Sequence, residues 1–288
     1  MSLEIIHEMF PDERPTLEKV LERTKDTMKA YIISLTNDHD STVATRRLLI
    51  SIKSFGSNIE PFIFDAVTPK NMSIVHERFF GKSTIKKVEY TYPLEGQTRY
   101  DMRTGLELSG YPTKDINKRI SCFLSHYTLW KNCIQANEPI MILEQDAIFT
   151  KTFDYSLVKH RFTGDIMGLN NPMMATRRAK VYDKGLSDHW KQRYSDVKTN
   201  QPTRRIPPVY DVFEAPWVDN NRMVPQGIAG NSAYIIKPEG AEKLIALTAE
   251  NGIWPNDAIM CKQLMPGKLQ HLYPYVTKVQ GGRSTTSE

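Results

Sequence analysis

The chain has no apolar run near the roughly 18–20 residues that cross a bilayer. Its opening stretch, MSLEIIHEMFPDERP, lacks a basic segment followed by an apolar one. A transmembrane or secreted protein is therefore not expected; the expected location is the cytoplasm, at most peripheral to the inner membrane, or a host cytoplasm if the chain is viral. Cysteine is scarce too. Cys122, Cys133 and Cys261 form no CxxC pair and cannot all pair with one another. Buried free thiols in a reducing compartment follow, and a structural zinc site does not. With 40% apolar and 25% charged residues and no internal repeat, disorder, collagen and solenoids are set aside.

What is present is unevenly spread. The net charge of +5 is modest, yet nine Lys/Arg face only three Asp between Arg177 and Arg205. This stretch is interleaved with Tyr182, Trp190 and Tyr194. Such a segment suits an anionic acceptor, glycolipid or nucleic acid, with Arg177, Arg178, Trp190, Arg204 and Arg205 as contact candidates; a solvated charged face is the plainer reading. It belongs to a long, Pro-punctuated span, about 170–226, of the kind that forms a lid or an acceptor surface.

The rest reads as alternating strands and helices. Residues 1–28 form a charged, helical N-terminal extension, and 29–288 a single domain. KAYIISL (29–35) is a buried strand, TNDHDST a loop ending in a helix cap, VATRRLLISIKSFG a helix stopped by Gly56, and IEPFIFDAV a second strand. Residues 70–118 look irregular, with short helices at most. In ISCFLSHYTLWKNCIQANEP, the positions Phe123, Tyr127, Trp130 and Ile134 share one helical face. IMILEQDAIF follows as an apolar strand, and NSAYIIKPEGAEKLIALTAENG as a strand, a turn and a helix ending at Gly252. The order predicts an α/β fold with a largely parallel sheet.

At the end of the IMIL strand stand two acids one residue apart. In an extended strand Glu144 and Asp146 share a face, with Gln145 opposite. Ligands of open α/β sheets gather at the carboxyl ends of the strands. Two like charges there are reconciled by a hard cation, Mn²⁺ or Mg²⁺, completed by a diphosphate. Solvent-exposed acids, or an acid paired with arginine, are the competing reading.

YIISL with TRR, FIFDAV, ISCFLSHYTLWKNCIQANEPIMILEQDAIF, NSAYIIKPEGAEKLI, WPNDA and VQGGRST together resemble, in order and composition, glycosyltransferase family 25, the lipooligosaccharide-type sugar transferases. Two departures stand out. Gln145 separates acids that the family usually places side by side, and Ser121 replaces its usual glycine. The resemblance implies a GT-A-like (Rossmann-like), mostly parallel sheet flanked by helices, and transfer of a sugar from a nucleotide-sugar, foremost a UDP-sugar, to an acceptor hydroxyl. The family's usual acceptor is a glycan or lipooligosaccharide. Hydroxymethylated DNA, as in phage-type modification, is the alternative, and an inactive nucleotide-sugar or glycan binding module is the alternative of another class.

In that frame Asp146 and Glu144 hold the metal, and Asp257 of WPNDA is the candidate general base, with a helix N-cap as its competing role. Asp65, His126, Glu144, Asn231, Gln280, Arg283 and Ser284 contact the donor. His126 sits at the edge of its helix's apolar stripe, from where it reaches a cleft or serves as a satisfied structural residue. Tyr234 lines the strand after Asn231. Arg46 and Arg47 either reach the nucleotide or lie on a solvated helix face.

Overall fold

The computed structural model describes residues 27–81, 89–195 and 208–281. Nearly all of the expected N-terminal extension lies outside the described residues, as do Arg204, Arg205, Arg283 and Ser284. A strand, β1 (Met28–Ser34), leads into helix α1 (His39–Phe55) and back to β2 (Ile59–Asp65). The helix begins earlier than expected: its cap is Asp38, inside TNDHDST rather than at the end of that stretch, and the Asp38 carboxylate accepts from the Ser41 N–H at 2.7 Å. Gly56 follows the last helical residue.

The region expected to be irregular carries helix α2 (Met72–Phe80) and a hairpin, Thr98–Asp101 with Leu106–Ser109. Helix α3 (Ile116–Ala136) buries Phe123, Tyr127 and Trp130 and ends on Asn137, in the left-handed region at φ 51°.

The next segment corrects an expectation. IMILEQDAIF is not one strand but two, β3 (Ile140–Glu144) and β4 (Ala147–Phe149), with Gln145 and Asp146 in the turn between them. β5 (Ile166–Gly168) precedes the basic span, of which residues 170–195 and 208–226 are described. The span contains helix α4 (Ala179–Ser195) and strand β6 (Asp211–Glu214). Then come β7 (Ala233–Ile236), α5 (Pro238–Asn251), the one-turn α6 (Asn256–Ile259), β8 (Leu269–Tyr273) and β9 (Thr277–Val279).

The central sheet has the order β6-β8-β5-β7-β3-β1-β2. It is mixed: β1 runs parallel to β2 and β3, and β8 to β5, whereas β7 is antiparallel to both β3 and β5, and β6 to β8. The reversed β7 was not foreseen, because an alternating strand–helix order says nothing about a strand reached through a long loop. Alternate residues feed two cores. Ile33, Ile140, Ile142, Tyr234 and Ile236 meet the residues of α3 and α5 on one face. On the other, Ala30, Ile32, Met141, Leu143 and Ile235 pack with Leu48 and Ile52 of α1 and with Phe149 and Phe153. The IMIL strand is thus buried on both faces, at 0–1% exposure. Among the described residues no helix is long and apolar enough to cross a membrane, and the three cysteines are free.

Candidate active site

Because β1, β2 and β3 are parallel and β7 runs back against β3, one edge of the sheet gathers the ends of β1–β3 and the start of β7. Ser34, Asp65 and Glu144 arrive there from below, and Asn231 and Ser232 from the loop before β7. The Glu144 N–H donates to the Ser232 carbonyl at 2.8 Å. Gly230 makes the approach of that loop possible. Its φ is +72°, and a β-carbon there would lie 2.8 Å from the Ala175 carbonyl oxygen.

The turn carrying the two acids is held from three sides. Gln145 points away from them, as alternation predicted, and its Oε1 accepts from the Ser41 hydroxyl and, at 3.4 Å, from the Leu35 N–H. Gln280 was expected at the donor. Instead its side-chain nitrogen lies 3.0, 3.2 and 3.0 Å from the carbonyl oxygens of Ala44, Gln145 and Ala147, and its backbone N–H donates to Asp146 O at 2.6 Å. In the structure Gln280 fastens the acidic turn to α1.

Glu144 is oriented by a buried chain of hydrogen bonds. The Trp130 indole, a donor only, gives its proton to the Tyr234 hydroxyl at 3.0 Å. The phenol's own proton then finds an acceptor in His126 Nδ1 at 2.9 Å, which leaves the proton on Nε2, 3.2 Å from Glu144 Oε1. His126 is fully buried. It stands beneath the cleft rather than in it, and its contacts are those of a residue that positions Glu144.

Asp146 is the opposite case. Burial, and then the neighbouring Glu144, push its carboxyl up to about 7, against the lowering effect of a hydrogen bond with the Ser232 side chain. One of its oxygens, Oδ1, is buried without a partner, and so are Oδ1 of Asn231 and Oδ1 of Asn256. Acceptor oxygens left unmatched at a strand edge fit a hard, oxygen-seeking cation. The donor set of Glu144 and Asp146 therefore suits Mn²⁺ or Mg²⁺. A second grouping, Cys122, His126 and Glu144, brings its ligand atoms within 4.8 Å of one another. Within it His126 Nε2 already faces Glu144 Oε1 at 3.2 Å, and burial, then Glu144, raise the Cys122 thiol above its ordinary pKa.

Asp257 lies in the first turn of α6, whose cap position is Pro255. Its residue surface is open to solvent, while protein crowds its carboxyl, as on the wall of a cleft. That crowding raises its pKa, opposed mainly by Arg119 and by a hydrogen bond from Tyr111, and reinforced by Glu144. Arg119 stacks over the Tyr111 ring at 5.2 Å and donates to Thr113 and to the Pro112 carbonyl. Tyr111, Arg119 and Ser232 were not singled out by the sequence reading: Tyr111 lies inside the segment read as irregular, Arg119 just after it, and Ser232 within NSAYIIKPEGAEKLI beside the Asn231 chosen there.

Asp65 is exposed at the end of β2 and accepts from Thr36 at 2.8 Å. The basic span disappoints the expectation of an open aromatic surface. Tyr182 is in the core, and Trp190 packs among Tyr194, Phe213 and Tyr273 rather than offering a face to a ligand. Arg178 pairs with Asp219 at 3.0 Å and Arg193 with Asp211 at 2.7 Å. Arg177 is exposed.

Among solved structures, mouse xyloside xylosyltransferase 1 in its apo form is similar over 84% of each chain, at 8% identity and a TM-score of 0.39. No curated protein matches. The model of glycosyltransferase family 25, described as an LPS biosynthesis protein, matches residues 27–260, and the chain belongs to that family of glycosyltransferases.

Proposed function

We propose that the chain moves a sugar from a nucleoside diphosphate sugar, foremost a UDP-sugar, to a hydroxyl of a glycan or lipooligosaccharide, with the donor's diphosphate seated over Glu144 and Asp146. The observation that carries the reading is the pair itself: two interacting carboxylates at the carboxyl edge of the sheet, one with a buried, unpartnered oxygen. A divalent cation held there supplies neutralisation of the charge that develops on the departing diphosphate. Glu144 is kept in register by His126, and the turn by Gln280. Asp257 accepts the proton of the attacking hydroxyl as the new C1–O bond forms; the bond from C1 to the diphosphate oxygen breaks and its electron pair leaves with the nucleotide. A carboxyl raised by its surroundings is better matched to that task near neutral pH than an ordinary one.

The test is release of UDP from a panel of UDP-sugars with and without Mn²⁺, in parallel with a core glycolipid, hydroxymethylated DNA and unmodified DNA. Mn²⁺-dependent release stimulated by the glycolipid is expected. Stimulation by hydroxymethylated DNA alone would move the acceptor to nucleic acid, and no release under any condition would leave a binding module.

A further inference from the structure

The segment before the hairpin is tied to the approach to Asp257 by its backbone. The Ile253 N–H donates to the Glu89 carbonyl at 2.8 Å and the Thr91 N–H to the Ile253 carbonyl at 3.2 Å. Gly252, at φ +86°, is what lets the two strands of chain come so close; a β-carbon there would meet the Thr91 side chain at 2.5 Å. The Trp254 indole donates to Thr91 Oγ1 at 2.9 Å, Tyr92 packs edge-on against Trp254, and Tyr92 and Tyr111 stack with centroids 5.7 Å apart. Tyr90 lies close enough to Asp257 and Arg119 to feel both charges. This rigid aromatic wall borders a hollow of about 600 Å³, which Tyr90, Tyr92, Gln97, Thr98 and Arg99 help to line.

Its chemistry is that of a saccharide site. The partly exposed Tyr90 phenol offers an apolar face to a sugar ring, while Tyr92, 5% exposed, belongs to the buried part of the wall; an amide and a hydroxyl can match sugar hydroxyls. The Arg99 side chain is half exposed; one guanidinium nitrogen is bound to the Thr91 carbonyl and Asp101 is 3.9 Å away. It remains suited to a phosphate or carboxylate on the sugar.

We propose that this hollow is the acceptor subsite: a saccharide bearing an anionic substituent lies on Tyr90 with that substituent at Arg99, and presents its hydroxyl toward Asp257. The assignment rests on the proposed sugar transfer, and it moves acceptor recognition from the basic span to residues 90–99.

The test has two arms. Saturation-transfer NMR with a set of phosphorylated and unphosphorylated di- and trisaccharides reads binding without turnover. Signals from the phosphorylated members are expected with the native chain, weakened about tenfold in apparent affinity by Arg99→Ala and by Tyr90→Ala, and unchanged by Arg177→Glu with Arg178→Glu. In steady state, with whichever acceptor supports turnover, Arg99→Ala should raise the acceptor KM about tenfold and the donor KM less than twofold. Loss of binding in the Arg177/Arg178 variant but not in Arg99→Ala would overturn the proposal, as would saccharide signals insensitive to both Tyr90→Ala and Arg99→Ala. A chain that binds saccharides in this way but never releases UDP would refute the transferase reading and leave the subsite standing.

Discussion

Two aspartates, the half-buried Asp146 and the buried Asp211, show how differently one fold can treat the same carboxylate. Asp211, at the start of the edge strand β6, is 2% exposed. Burial alone would raise its pKa, but Tyr194 at 2.5 Å, Arg193 at 2.7 Å, its neighbour's N–H and Arg161 at 3.2 Å bring it below the ordinary carboxylate range. Asp146 has a like charge for a neighbour and one oxygen without a partner, and its pKa rises to about 7. A matched carboxylate holds structure together. An unmatched one costs folding free energy and signals that its partner arrives from outside.

The contrast can be broken by exchanging what each acid loses. Asp146→Asn should cut Mn²⁺-dependent UDP release by about 10³-fold, the order seen when a group stabilising transition-state charge is removed, while the melting temperature at pH 8 without divalent cations does not fall. Asp211→Asn should do the reverse, lowering stability in urea by about 3 kcal/mol because Arg161 and Arg193 lose their shared partner, with kcat little changed. If both variants lost stability alike, the distinction between the two sites would be wrong.

The pH dependence should separate them more finely. Asp146 binds its proton more tightly folded than unfolded, so it favours the fold at low pH and opposes it as pH rises from about 4 toward 7. Asp211 binds its proton less tightly folded, so its contribution is present above about 4 and is lost as pH falls through its depressed folded value. Stability curves measured without divalent cations should therefore flatten on the neutral side in Asp146→Asn and on the acid side in Asp211→Asn. The smallest effect belongs to the relay. Tyr234→Phe leaves the Trp130 indole and His126 without their common partner, and should weaken Mn²⁺ affinity about tenfold, read by titrating UDP release with Mn²⁺.

Much of the frame was legible beforehand. Gly56 and Gly252 end α1 and α5 as read, although α1 starts four residues before the expected Val43, and the four aromatic and aliphatic positions of α3 fall on its buried face. Besides the hairpin, three strands of the central sheet escaped notice: β5 and β6, at three and four residues, are too short to show a period, and LQHLY of β8 alternates too weakly. Within the site, the acids and Asp257 were visible as motif residues, whereas Tyr111 and Arg119 enter only because α3 and the preceding loop bring them to the same wall.

Sequence by itself determined the alternation of apolar strands and amphipathic helices, the buried IMIL strand that leads to the acids, and the family, because these depend on periodicity and local order of residues. Tertiary structure decided that the strand breaks at Gln145 so that Asp146 stands in a turn, that Gln280 clamps that turn, that His126 lies under the cleft, and that the aromatics of the basic span face inward. Each of these is a contact between residues tens to hundreds of positions apart, and no local pattern encodes which of two distant groups will supply the missing hydrogen bond.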